Sequence, residues 1–275
     1  SALRAEGKLN GAVEAYQRAI RLRPDFAEAY NNLGVVLLDQ QKFDDAIGCY
    51  REALRIKPDH AVAHSNLLHS LNYQSIEPSS VFHEHQQWDV QHARRQPRYS
   101  HYSNVPDPER RLRIGYVSPD LRRHSVAFFI EPLLAQHDRA TVEVACYSDV
   151  ARPDDTTRRL KDTADIWRDI HGLSNERVAE QIRADGIDIL VDLVGHAGMH
   201  RLLVFARKPA PLQISYLGYP NTTGLATMDY RFTDAWADPP GQTDAFHSET
   251  LLRLAPGFLC YRAPPDAPVI GPLPA

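Results

Sequence analysis

Cysteine is scarce in this chain, and the three that occur, Cys49, Cys146 and Cys260, lie far apart. They form no C-x-x-C pair, so the sequence indicates neither a disulfide framework nor a zinc site held by thiolates. Because disulfides are rare in reducing compartments, the cysteine pattern favours a cytoplasmic location.

An excess of positive charge and a long apolar run are also missing. The formal net charge is -4, whereas nucleic-acid-binding domains usually carry a basic surface. No stretch approaches the roughly 18 consecutive apolar residues of a membrane-spanning helix. Ser1-Ala2-Leu3-Arg4 lacks the zones of a signal peptide. The sequence therefore predicts neither a nucleic-acid partner nor a membrane partner.

Several catalytic and phosphate-binding motifs are absent as well. The sequence contains no G-x-G-x-x-G after its first predicted strand, no G-x-x-x-x-G-K-[ST] and no G-x-S-x-G. The run His83-Glu84-His85 does not have the H-E-x-x-H spacing of a metalloprotease. These absences argue against dinucleotide-dependent oxidoreductases, P-loop hydrolases, serine hydrolases of the α/β type and metalloproteases.

A repeat with a period of 34 residues is present near the N-terminus. The segment from Ala15 to Asp25 recurs from Cys49 to Asp59, with Tyr16 and Tyr50 separated by 34 positions. This period in a helix-turn-helix pattern is typical of tetratricopeptide repeats. We therefore predict a partial repeat array at residues 1–73, with one complete unit at about 27–60. Such arrays usually form a concave surface for protein or peptide partners, although a structural spacer is an alternative.

The segment after the repeats predicts a bridge and a linker, at residues 74–110. Glu77-Pro78-Ser79-Ser80 reads as a helix start with Ser79 or Ser80 as the cap, followed by a helix from Val81 to Arg95. Proline and polar residues then predict a linker up to Arg110.

From Arg111 onwards, strand patterns alternate with helix patterns, which predicts a parallel sheet covered on both faces. The predicted helices are Val126–Gln136, Thr156–Ala164, Asn175–Ala184 and Arg201–Ala206. The predicted strands are Leu112–Val117, Val142–Tyr147, Ile187–Leu193, Leu212–Leu217 and Tyr230–Thr233. The fold class is thus a tetratricopeptide α-solenoid followed by a Rossmann-like α/β lobe at 111–263.

Ligands of open parallel sheets bind outside the carboxyl ends of the strands. This rule selects three loops rich in glycine or polar residues: 120–124, 195–201 and 218–224. Within them, His124 could act as a general base or be a surface residue. His196 could contact a substrate or, with His200 four residues later, bind a metal. We expect His60 and His64, which have the same spacing in the repeats, to be ordinary surface histidines.

Several stretches resemble the O-GlcNAc transferase (SPINDLY-like) family. They are Leu112 to Asp120 with His124, Asp192 to His196, Pro209 to Pro220, Thr222 to Tyr230, and Tyr261 after the segment from Leu251 to Cys260. The resemblance covers about residues 1–270, with repeats and lobe in the family's order, and this combination is more specific than either half alone.

The resemblance implies a two-lobed glycosyltransferase of the GT-B type. It would transfer N-acetylglucosamine from UDP-GlcNAc to Ser or Thr hydroxyls of proteins, inverting the sugar and using no metal or other cofactor. The repeats would present protein or peptide acceptors. The histidine that some relatives carry before the strand at Ile187 is replaced here by Arg183-Ala184-Asp185, so the resemblance does not extend to a mechanism with two histidines.

The resemblance also carries over individual site residues. His124 matches an active-site histidine with a possible role as base. The predicted substrate-binding residues are Gly195, His196, Arg201, Leu217, Gly218, Tyr219, Pro220, Thr222 and Thr223.

In the family, a second lobe supplies most contacts to the uridine and the diphosphate. We expect the interlobe linker to begin at 264–275, and we expect the 275-residue chain to be inactive without that lobe. Two alternatives stay open: a protein O-fucosyltransferase that uses GDP-fucose, and a non-catalytic protein-binding scaffold.

Overall fold

The computed structural model describes residues 9–107, 109–263 and 271. Expectations for residues 1–8, and for the linker at 264–275 apart from Gly271, lie outside the described residues. Within those ranges, an N-terminal helical region precedes a region built on a parallel sheet, which confirms the predicted fold class. None of the helices described is long and apolar enough to cross a membrane.

The helical region begins with four helices in sequence. They are α1 (Leu9–Leu22), α2 (Ala27–Asp39), α3 (Phe43–Ile56) and α4 (Ala61–Leu71). Small residues allow α2 and α3 to approach closely: a Cβ atom on Gly34 would lie 2.6 Å from Cε1 of Tyr50. Ala46 and Ala53 of α3 are fully buried. This close pairing confirms the complete unit predicted from the period of 34.

The two histidines of the repeat region differ in environment. His60 precedes α4, and its Nδ1 accepts a hydrogen bond from the backbone N–H of Ala63. The prediction of a surface location is wrong for His64, which is 1% exposed. Its ring nitrogens lie 3.0 Å from Nε2 of His92 and 3.0 Å from Oε1 of Glu84. The helix that follows the repeats supplies these partners and covers this part of α4.

That helix connects the repeats to the sheet. It is α5 (Pro78–Trp88), and it continues as a π-helical turn at Asp89–Ala93. The prediction that Ser79 or Ser80 caps it is wrong, because the helix begins at Pro78 after Glu77. Proline fits a first helical turn, where the missing N–H would have no helical partner. The following residues, 94–111, form no regular element within the described part.

Seven parallel strands form one sheet within the described residues, in the order β3-β2-β1-β4-β5-β6-β7. The strands are β1 (Leu112–Ser118), β2 (Val142–Ser148), β3 (Ile166–Asp169), β4 (Ile189–Asp192), β5 (Leu212–Ser215), β6 (Tyr230–Thr233) and β7 (Thr250–Arg253). The helices between them are α6 (Ser125–Gln136), α7 (Asp155–Asp162), α8 (Asn175–Ala184) and α9 (Leu202–Ala206), and a 3-10 turn, Asp244–Phe246, precedes β7. The predicted helices and strands all occur in the lobe, with ends that differ by at most two residues.

Strands β3 and β7 are missing from the sequence prediction. They are the two edges of the sheet, and each has only four residues, none of them buried. Because an edge strand covers less of the core, its apolar pattern is weaker and harder to recognise in a sequence.

One hydrophobic core joins the helical region to the sheet region. Leu68 of α4 and Trp88 of α5 belong to the same buried cluster as Phe205 of α9 and Leu225. All four side chains are fully buried. The end of the repeats is therefore packed against the lobe, close to the loops that follow β4 and β5.

Candidate active site

A cleft of about 870 Å³ is lined by residues of all three loops that were selected because they follow the carboxyl ends of strands, a criterion we call the strand-end rule. Asp120 and His124 follow β1, the segment Ala197 to Met199 follows β4, and the segment Leu217 to Pro220 follows β5. The loop after β2 adds Asp149 and Arg152 to the wall. The carboxyl ends of four neighbouring strands therefore meet at this cleft.

His124 lies where the β1 loop enters α6, and its side chain is 36% exposed. Its Nδ1 accepts a hydrogen bond from the backbone N–H of Val126 at 3.3 Å and lies 3.7 Å from Oδ2 of Asp120. Nδ1 is therefore the unprotonated nitrogen of the neutral ring, and an unprotonated ring nitrogen is what a general base requires. The Asp120 carboxylate is near enough to stabilise the ring once it is protonated.

The three predicted residues of the β4 loop do not line the cleft. Gly195 has a φ of +58°, and a Cβ atom there would lie 2.3 Å from Cβ of Tyr219. His196 is fully buried, with Nδ1 3.1 Å from Oγ of Ser65 and Nε2 2.8 Å from the carbonyl oxygen of Thr223. Both residues lie behind the cleft wall, so their role as substrate contacts stays a prediction.

Arg201 does not line the cleft, but it binds Asp149, which does. Its Nε donates to Oδ2 of Asp149 at 2.7 Å, and Nη1 donates to the carbonyl oxygen of Leu173 at 2.8 Å. His171 contacts the same carboxylate, with Nδ1 3.1 Å from Oδ1. Asp149 is a cleft residue that the sequence analysis missed. It comes directly after β2, a strand that the sequence analysis predicted, so applying the strand-end rule to that strand as well would have found it.

Residues 217–224, which we call the cleft loop, supply the wall after β5. Leu217 has a φ of +74°, an uncommon conformation for a residue with a side chain. At Gly218, a Cβ atom would lie 1.9 Å from the carbonyl oxygen of Leu193, so only glycine fits. Tyr219 and Pro220 complete the lining. These four predicted site residues therefore lie together at the cleft.

Thr222 and Thr223 belong to the cleft loop but do not line the cleft, and both are fully buried. Both hydroxyls donate to Glu249, a buried carboxylate just before β7, and the distance from Thr222 Oγ1 to Glu249 Oε2 is 2.5 Å. The backbone N–H of Thr223 donates to the same carboxylate at 2.7 Å. In this arrangement the threonines anchor the loop, and their contact with a substrate stays a prediction.

Arg231 of β6 is a second cleft residue that the sequence analysis missed. Its Nη1 donates to the carbonyl oxygens of Tyr219, at 3.0 Å, and Asn221, at 2.8 Å. Burial lowers the pKa of this guanidinium, while Glu249 and Asp238 oppose that effect. A single arginine inside a short strand carries no sequence signal for this role.

The carboxylate of Asp192 ends β4 below the cleft. It accepts the backbone N–H groups of Gly195, at 2.7 Å, and Val194, at 3.3 Å. Complete burial raises the pKa of Asp192 to about 7, although these two hydrogen bonds act in the opposite direction. No group of three or more His, Cys, Asp or Glu side chains in the described part of the chain could hold a metal ion.

Comparison with known proteins finds one glycosyltransferase family and two repeat families in this chain. Residues 55–260 match glycosyl transferase family 41. Residues 1–41 match a TPR repeat family, and residues 27–60 match the tetratricopeptide repeat. The structural unit α2–α3 coincides with the latter match.

Individual relatives are similar over half of this chain or more. A probable UDP-N-acetylglucosamine–peptide N-acetylglucosaminyltransferase SPINDLY of Petunia hybrida is 45% identical over 199 residues, which is 71% of this chain and 21% of that protein. A UDP-N-acetylglucosamine–peptide N-acetylglucosaminyltransferase of Caenorhabditis elegans is 40% identical over 139 residues, which is 50% of this chain and 12% of that protein.

A solved structure matches almost the whole chain. It is a mutant O-GlcNAc transferase of Thermobaculum terrenum, 41% identical with a TM-score of 0.92, and the match covers 96% of this chain and 51% of that one. The chain spans about a fifth of the length of the SPINDLY relative. Because the family match at 55–260 covers most of its residues, the chain belongs to glycosyl transferase family 41.

Proposed function

We propose that the protein carrying this chain transfers N-acetylglucosamine from UDP-GlcNAc to Ser or Thr hydroxyls of proteins. The proposal rests on the position of His124, which lies at the N-terminus of α6 and lines the same cleft as Leu217 to Pro220. The family membership supports the reaction class, and the relatives' names support the donor sugar.

In the proposed reaction, the oxygen of the acceptor hydroxyl attacks the anomeric carbon while the bond to the diphosphate breaks. The hydroxyl proton passes to the unprotonated ring nitrogen of His124, and the nearby Asp120 carboxylate stabilises the imidazolium that forms. Attack opposite to the leaving diphosphate inverts the sugar. The proposal includes no metal ion and no other cofactor, as the family resemblance implies.

The leaving diphosphate gains negative charge, which placed cations or helix N-termini must stabilise. The family resemblance assigns most of these contacts to a second lobe of a GT-B fold. We therefore propose that this chain forms one half of the catalytic cleft and needs that lobe for transfer.

The helical region would present the protein acceptor. The evidence for this role is the tetratricopeptide pairing of α2 and α3, because such repeats commonly form binding surfaces. A cytoplasmic location, suggested by the scattered cysteines, completes the proposal.

The test compares this chain with a longer one that continues past Ala275. Both are incubated with a general acceptor peptide and with UDP-GlcNAc or GDP-fucose. We expect only the longer chain to transfer N-acetylglucosamine. We also expect His124→Ala to lower its kcat by roughly 10²-fold or more, as loss of a general base does.

The other outcomes separate the alternatives. Transfer of fucose alone would replace the donor in the proposal. Transfer of neither sugar by the longer chain would favour a non-catalytic scaffold. An unchanged rate for His124→Ala would remove the base from the mechanism.

A further inference from the structure

Three side chains of the helical region extend to the cleft loop or to its support. They are Ser65 of α4, Asn72 directly after α4, and His85 of α5. Each is hydrogen-bonded to a residue of the lobe more than a hundred positions later in the chain. The strand β5 ends at Ser215, and the cleft loop after it forms no strand, so side-chain contacts contribute to holding its position.

The hydroxyl of Tyr219 is at the centre of these contacts. Nδ1 of His85 lies 2.7 Å from the carbonyl oxygen of Val81, so Nδ1 carries the proton and Nε2 accepts. The Tyr219 hydroxyl donates to that Nε2 at 2.8 Å, and Nδ2 of Asn72 donates to the Tyr219 oxygen at 3.0 Å. Burial lowers the pKa of His85 to about 4, which keeps the ring neutral near pH 7.

The side-chain amide of Asn72 holds a second point of the loop. Its Oδ1 accepts from Nδ2 of Asn221 at 3.0 Å. One amide therefore donates to Tyr219 and accepts from Asn221, which fixes its own orientation.

His196 makes a third connection. Its Nε2 faces the carbonyl oxygen of Thr223, so Nε2 carries the proton and Nδ1 accepts from the Ser65 hydroxyl. The end of the loop is also in close contact with α5, because a Cβ atom on Gly224 would lie 2.5 Å from the carbonyl oxygen of His85.

We propose that Asn72 and His85 are positioning residues for sugar transfer. Through the Tyr219 hydroxyl and the Asn221 amide they hold the cleft loop, so that the end of the repeats forms part of the cleft's support. This inference rests on the proposed function, and its structural half can be measured without catalysis. Neither Asn72 nor His85 lines the cleft, so both residues act through Tyr219 and its neighbours.

The experiment uses the longer chain that continues past Ala275, with the variants Asn72→Ala, Tyr219→Phe and their combination. Tyr219→Phe keeps the ring against Gly195 and removes only the hydroxyl. The control is Asn104→Ala. Nδ2 of Asn104 donates to Oδ1 of Asp188 at 2.6 Å. Asp188 lies directly before β4, at the amino end of the strand and therefore opposite to the cleft.

We expect each cleft-loop variant to lower kcat by roughly tenfold while KM for UDP-GlcNAc changes less than about twofold, because a small misplacement of cleft groups slows the chemical step. The combined variant should lower kcat by less than the product of the two single effects, because the hydrogen bond between Asn72 and Tyr219 is lost in both variants. Asn104→Ala should transfer at the parent rate.

Hydrogen exchange of the cleft-loop amides gives a readout independent of activity. In Asn72→Ala, we expect residues 217–224 to exchange faster, and in Asn104→Ala to exchange at the parent rate. Unchanged exchange together with an unchanged kcat overturns the inference, as does an equal effect of Asn104→Ala. If the parent protein transfers no sugar, the proposed function fails, and exchange alone decides whether the repeats hold the loop.

Discussion

Two glycines of the β4 loop permit a direct measurement of the contact that supports Tyr219. Gly195 and Gly198 have similar positive φ values, +58° and +52°. A Cβ atom on Gly195 would lie 2.3 Å from Cβ of Tyr219, whereas a Cβ atom on Gly198 would meet nothing within 4 Å. The substitutions Gly195→Ala and Gly198→Ala therefore share the backbone strain and differ in the steric clash.

The expected losses of unfolding free energy follow from these two effects. The left-handed conformation costs alanine about 1–2 kcal/mol, and the reduced freedom of the unfolded chain returns about 0.4–1 kcal/mol. Gly198→Ala should therefore lose about 1 kcal/mol. Gly195→Ala carries the same cost and a further ~2 kcal/mol for overpacking against the tyrosine.

The measurement is urea unfolding of the two variants beside the parent chain, with equal slopes required for the comparison. A third variant combines Gly195→Ala with Tyr219→Ala, which removes the clashing ring. The unfolding free energy lost by this double variant should be smaller than the sum of the losses of Gly195→Ala and Tyr219→Ala, because the two residues are in contact. Equal losses for Gly195→Ala and Gly198→Ala, or strict additivity with Tyr219→Ala, would refute the steric explanation.

Two further predictions concern stability. Burial lowers the pKa of several histidines, for example that of His200 to about 4. The unfolded chain therefore binds protons that the folded protein does not, and the folded state loses free energy of unfolding as the pH falls from 6.5 towards 4. Asp192, whose pKa is raised to about 7, acts in the opposite direction, but several histidines outnumber it. We expect the unfolding free energy to fall by roughly 2 kcal/mol per pH unit between pH 6.5 and 5 in urea titrations, because three histidines against one aspartate leave a net uptake of about two protons on unfolding. A rise over this range would contradict the neutral histidines. Arg201→Lys should cost about 1–2 kcal/mol, because lysine cannot hold both oxygens of Asp149. The exposed Arg177→Lys is its control in the same unfolding assay, and equal losses would show that the paired contact contributes nothing.

The sequence by itself determined the repeat and the main elements of the lobe. The separation of Tyr16 from Tyr50 defines a period, and the apolar runs around Tyr116 and Val191 mark buried strands. Such patterns are local, because each reflects which side of one helix or strand is buried. The strand-end rule then located three loops, which the structure brings together at one cleft.

Only the tertiary structure decided which of those loop residues line the cleft. Leu217 and its neighbours do, whereas His196 and Thr223 turn towards the helical region and bond to each other. It also buried His64 against α5 and placed Arg231 next to the backbone of the cleft loop. These outcomes depend on partners far away in the chain, and the residue types alone do not specify them. A histidine is equally suited to a surface, a core hydrogen bond or catalysis, and its neighbours in space select among these roles.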